Sequence, residues 1–95
     1  MTKSLNCVFA GKSASAVPGA DFKEWVQNEA RNFSITGWIR SLHDGRFEIL
    51  AQGSEENLQE LRVRLLQGPP FSKVENLECK SIDYEKSFEK FELRQ

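Results

Sequence analysis

The chain has 95 residues, 39% of them hydrophobic and 28% charged, with a formal charge of −1 at pH 7. That is apolar material for one core and too little for two, so a single domain spanning 1–95 is expected. The near-neutral balance offers no field to hold a polyanion, which argues against DNA or RNA as a partner. The longest purely apolar runs, such as Cys7 to Ala10, fall far short of the about 20 residues a membrane helix needs, so no membrane span is expected.

Met1 to Ala10 carries one lysine ahead of an apolar run too short and too mixed for a signal peptide. Cys7 and Cys79 lie far apart and build neither a disulfide framework nor a paired-cysteine zinc site. A reduced, cytoplasmic protein is the expectation, and whether the strands that carry the two cysteines pair stays open at this level.

Leu5, Cys7 and Phe9 alternate with Asn6, Val8 and Ala10 up to Gly11, the pattern of an interior strand. The small residues from Gly11 to Gly19 read as a loop. From Asp21 the period lengthens: Phe22, Trp25, Val26, Ala30 and Phe33 recur three or four apart, and Asp21 with Glu24 suggests an N-cap and a capping box, so a helix begins near Phe22. Ile35 to Leu42 and Arg46 to Gln52 flank His43-Asp44-Gly45, an Asp-Gly step that predicts a hairpin. Trp38 on the first of these strands is assigned to the core.

Ser54 is a natural N-cap before Glu55 and Glu56, and Leu58, Leu61, Leu65 and Leu66 form an apolar stripe that stops at Gly68-Pro69-Pro70. Val74 to Tyr84 mixes two alternation phases, which predicts a strand with a bulge or a switch of face, and Phe91 with Leu93 marks a short last strand. The order is strand, helix, strand, strand, helix, strand, strand. Right-handed crossovers then place two helices on one face of a mainly antiparallel sheet of four to five strands. This is an α+β, ferredoxin-like split β-α-β arrangement.

Chemistry-bearing residues are sparse. His43 is the single histidine and sits at a turn without companions, so it is taken as a solvated turn residue and no metal site is expected. No serine is framed as Gly-x-Ser-x-Gly. Trp25, Phe22, Phe33 and Trp38 invite comparison with a base-stacking platform, but helical spacing assigns the first three to the core, and Arg46-Phe47-Glu48-Ile49-Leu50 is not an RNA-binding motif. Gly11 and Gly19 bracket a strand-to-helix loop whose amides, with the helix N-terminus, can hold an anion.

Here the chain resembles the acylphosphatases, small ferredoxin-like hydrolases of carboxyl-phosphate anhydrides. Their signature is a glycine ending the first strand, then Val-Gln-Gly-Val-x-Phe-Arg opening the first helix. This chain has Gly11, then Val17-Pro18-Gly19-Ala20-Asp21-Phe22-Lys23, identical at Val17, Gly19 and Phe22. Glu29-Ala30, Thr36-Gly37-Trp38-Ile39-Arg40, Asp44-Gly45, Ala51-Gln52-Gly53, Glu55-Glu56 and Gly68-Pro69-Pro70 are similar to the family's later landmarks, in order.

The resemblance implies that loop amides and an arginine at the start of the first helix bind the phosphate, while an asparagine after Gly-Trp-Val-Arg orients the attacking water. The matching positions are Lys23 and Ser41, with Val17, Gly19, Ala20, Asp21, Phe22 and Lys23 around the phosphate. Lysine keeps the charge and loses the bidentate fork, and serine lacks the carboxamide. Ser13-Ala14-Ser15-Ala16 resembles an insertion, Pro18 replaces a backbone donor, and Asp21 adds a carboxylate where a phosphate would arrive. Losing one positioned polar group commonly costs about 10²–10³ in rate. The expectation is therefore an acylphosphatase-like domain with an altered site, weak or lost hydrolysis and residual anion binding. The alternative is an active acylphosphatase using Lys23 and Ser41. Either needs no cofactor, takes a small acyl phosphate or inorganic anion, and is expected to be a monomer.

Overall fold

The chain runs β1 (Lys3–Ser13), α1 (Ala20–Asn32), β2 (Thr36–Ser41), β3 (Arg46–Gly53), α2 (Glu55–Gln67), β4 (Ser72–Ile82) and β5 (Phe91–Leu93). The structure is a computed structural model and describes residues 3–13, 20–68, 72–84 and 86–94, without the side chains of 11–13, 20–22 and 72–73. One sheet forms in the order β4-β1-β3-β2-β5. Neighbours are antiparallel except β2 and β5, which are parallel.

Strand alternation sorts the side chains. Cys7, Phe9, Ile39, Phe47, Ile49 and Ala51 face the helices and meet Val26 and Ala30 of α1 and Leu58, Leu61 and Leu65 of α2 in one core. Each fully buried large side chain there contributes about 1.5–3 kcal/mol. Trp25 and Phe33 pack half-buried against that core. Leu66 is 59% exposed, because the spacing of Leu58, Leu61 and Leu65 turns it off the stripe.

The turn and cap residues act as their chemistry requires. Ser54 Oγ accepts from the Asn57 N–H at 3.2 Å, and Gly68, at φ 74°, closes α2 with its N–H on the Arg64 carbonyl. In the hairpin Leu42 N–H donates to the Arg46 carbonyl and Gly45 N–H to the Leu42 carbonyl, with Gly45 at φ 87°. That left-handed residue is the bulge position of a three-residue hairpin loop. His43 is exposed there.

Several expectations are corrected. β1 does not stop at Gly11 but runs on to Ser13, because β4 is long enough to pair Gly11, Lys12 and Ser13 with Val74, Lys73 and Ser72. α1 starts at Ala20, so Asp21 is its second residue and not its cap. Trp38 is not in the helix-side core: Gly37 and Ile39 take that face, and Trp38 stands on the other, its ring centroid 5.2 Å from the guanidinium of Arg40 and 5.3 Å from that of Arg94. Cys7 and Cys79 are direct partners across β1 and β4 and are joined by a disulfide. Sequence distance was no guide, since the register pairs the first strand with the fourth.

The predicted bulge in β4 is present. The register slips between Val8 opposite Glu78 and Ala10 opposite Glu75, so Asn76 (φ 56°) and Leu77 together oppose Phe9. β4 and β5 are the two edges of the sheet, and between them Lys86 and Phe88 lie against its helix-free face. There the Gln52 carboxamide donates to the Lys86 carbonyl at 2.7 Å and accepts from the Phe88 N–H at 3.1 Å.

Candidate functional site

Strand directions bring Lys23 and Ser41 to one end of the sheet. Gln27 Nε2 donates to the Phe91 carbonyl at 2.9 Å, and Lys23 Nζ to the Arg94 carbonyl at 3.4 Å. α1 therefore lies antiparallel to β5, with its first turn beside the end of that strand. Because β5 runs parallel to β2, this is also the end where β2 finishes at Ser41. Arg94 N–H closes the link by donating to the Ile39 carbonyl at 2.8 Å. Ser41 opposes Phe47, and Phe47 opposes Phe9, so the last residues of β1 arrive at the same end.

Lys23 sits in the first turns of α1, where unpaired N–H groups and the helix dipole favour an anion. The surrounding arginines already have carboxylate partners: Arg40 with Glu48 (2.6 Å), Arg46 with Asp44 (2.7 Å) and Arg94 with Glu92 (3.7 Å). The bond from Lys23 goes to a neutral main-chain carbonyl at a long distance, one that an arriving anion can outcompete. Ser41 is exposed and, with Arg40, Leu42 and His43, lines a cleft of about 410 Å³.

Ala20, Asp21 and Phe22 form the opening turn of α1, while their side chains, and Val17 and Gly19 altogether, lie outside the described residues. The site thus brings together Lys23, Ser41 and the end of β1. Arg94, which anchors Lys23, was missed from the sequence, where it gives no signal beyond a basic residue after a short strand. Among the described residues no group of three or more His, Cys, Asp or Glu side chains is placed to hold a metal, and no helix is long and apolar enough to cross a membrane.

Two helices on one face of a five-stranded, mostly antiparallel open sheet define a ferredoxin-like α+β protein. The Acylphosphatase family model matches residues 15–93, and the chain belongs to that family. It is 38% identical over 77 residues to an acylphosphatase of Bacillus licheniformis, covering 81% of this chain and 86% of the relative. To an acylphosphatase of Syntrophotalea carbinolica it is 37% identical over 78 residues, covering 82% and 85%. Its fold is similar to the crystal structure of acylphosphatase from Bacillus subtilis, with a TM-score of 0.86 at 30% identity and 100% of both chains covered. The structure of an acylphosphatase from Coxiella burnetii gives 0.85 at 28% identity, covering 98% of this chain and 93% of that one.

Proposed function

We propose that this chain is an acylphosphatase with an altered site, which binds the phosphoryl group of a small acyl phosphate, or inorganic phosphate, at the start of α1 and hydrolyses acyl phosphates slowly. The observation that carries the reading is the convergence of Lys23, Ser41 and the end of β1 at one end of the sheet, with Lys23 Nζ donating to a neutral main-chain carbonyl. In this reading Lys23 and the backbone N–H groups of Val17, Gly19, Ala20, Asp21 and Phe22 hold the phosphoryl oxygens, and the Ser41 hydroxyl accepts a hydrogen bond from the attacking water. Water oxygen bonds to phosphorus, the bond from phosphorus to the acyl oxygen breaks, and a carboxylate and inorganic phosphate leave. A single ammonium holds the phosphoryl group less rigidly than a guanidinium fork, and serine reaches less far than asparagine, so the rate falls while binding persists. The protein works as a cytoplasmic monomer without cofactor or nucleic acid.

Benzoyl phosphate hydrolysis tests this with the native chain, Lys23→Ala, and Lys23→Arg combined with Ser41→Asn. The native rate is expected above buffer, at buffer level in Lys23→Ala, and raised by about 10²-fold or more in the double variant. A native rate equal to the double variant's overturns the altered site, and buffer-level rates in all three overturn hydrolysis.

A further inference from the structure

β4 is an edge strand, paired on one side only, and Val74, Leu77 and Cys79 are partly buried against the core. β1 is paired on both sides, with Cys7 and Phe9 exposed by 1% and 0%. The two cysteines of the chain stand directly opposite each other on these strands, with Cα atoms 4.1 Å apart, and close a loop spanning 72 positions. An edge strand with few fully buried side chains belongs to the least stable part of a sheet. A covalent tie between it and the interior therefore matters most locally.

We propose that Cys7 and Cys79 form a reversible thiol–disulfide switch that sets how firmly β4 is held to β1. A small-molecule disulfide such as oxidised glutathione is the oxidant. The two protein thiols give up two electrons and two protons, one sulfur–sulfur bond forms between them, and the glutathione disulfide becomes two thiols. In the reverse direction an external thiolate attacks Cys79, the half-buried sulfur on the outer strand, and Cys7 leaves as the thiolate. A second external thiolate then releases Cys79 from the mixed disulfide.

The switch reaches the candidate site through the register. Beyond the bulge, Ser72, Lys73 and Val74 pair with Ser13, Lys12 and Gly11, the last described residues of β1 before the segment leading to α1. When the disulfide opens, hydrogen bonds and half-buried apolar contacts alone keep this limb in place. The β2–β3 hairpin, whose strands do not pair with β4, is insulated from the change. The proposal holds whether or not the site turns over substrate.

The test is amide hydrogen exchange on the full chain, oxidised with glutathione disulfide and then reduced with dithiothreitol, with the thiol state read by mass after alkylation. Reduction is expected to speed exchange across 72–82 and 10–13 by about tenfold or more, and across 36–53 by less than about twofold. Cys79→Ser, which leaves Cys7 in the core, should exchange alike under both treatments. Uniform acceleration along the chain, unchanged exchange, thiols that stay free under glutathione disulfide, or a redox response persisting in Cys79→Ser would each overturn the switch.

Discussion

Lys23 and Arg94, 71 positions apart, meet at the end of the sheet, the ammonium of one donating to the main-chain carbonyl of the other at 3.4 Å. The contact ties the start of α1 to the residue that follows β5, and it leaves the Lys23 charge uncompensated by a carboxylate in that bond. An anion arriving at α1 meets the charge of the ammonium and, in this bond, displaces a neutral acceptor.

Inorganic phosphate should therefore raise the melting temperature, by linkage worth about 1 kcal/mol at five times its Kd. For a domain of this size that is a shift of about 4–8 °C. Lys23→Ala is expected to abolish it in a thermal melt; a shift that survives places the anion elsewhere.

Gly37, at φ 133°, is pressed against β3, and a Cβ there would collide with the Leu50 carbonyl oxygen. Its N–H also donates to the Lys90 carbonyl at 3.1 Å, just ahead of β5. Gly37→Ala must move β2 away from β3 and adopt a backbone conformation that L residues avoid, so a loss of about 3 kcal/mol or more is expected in urea unfolding. An unchanged midpoint would mean that the two strands separate without cost.

Trp38 separates into two parts. Its ring meets the guanidiniums of both Arg40 and Arg94, and its Nε1 is buried with no hydrogen-bond partner among the described residues. Trp38→Ala loses the apolar cover and both cation contacts, about 2–3 kcal/mol. Trp38→Phe keeps most of the stack and removes the orphaned donor, so it should cost less than about 1 kcal/mol. Chemical denaturation of the two variants tells the contributions apart.

Asp44 accepts from the Arg46 backbone N–H at 3.1 Å and from its Nε at 2.7 Å. The backbone bond first, and the side-chain bond second, hold its carboxyl below the ordinary 3.8. A depressed carboxyl stabilises the fold above its unfolded pKa and ceases to do so once protonated in the folded state. Asp44→Asn should thus melt below the native chain at neutral pH, and the gap should shrink as pH falls below about 3.8. A gap independent of pH would assign it to turn geometry alone.

The helices and the hairpin were legible because their signals are local: leucine spacing, a serine cap, and a glycine where the turn needs positive φ. The β4 bulge was legible for the same reason, as two alternation phases in one run. The partnership of Cys7 and Cys79 was not, because it depends on which strands become neighbours. Trp38 was misassigned because both faces of β2 carry apolar residues, and alternation alone does not say which face the helices cover. At the site, Lys23 and Ser41 emerged from their place in a motif, whereas Arg94 acts through its main chain, which no side-chain pattern reveals.

The buried carboxamide of Gln52, 4% exposed, holds the chain between β4 and β5 by one donor and one acceptor, so it reads direction as well as position. Leu50, 2% exposed and on the same side of β3, lies outside the helix-side core and stands between Trp38 and Asn6 of the neighbouring strands. Lys86 and Phe88 thus lie over the face of the sheet opposite the helices. Cutting the chain after β4 would do more than shorten it: β2 would become a bare margin and the Gln52 carboxamide would lose the Lys86 carbonyl and the Phe88 N–H. β5, only three residues long, is what keeps the edge of β2 from offering a template for a strand of another chain.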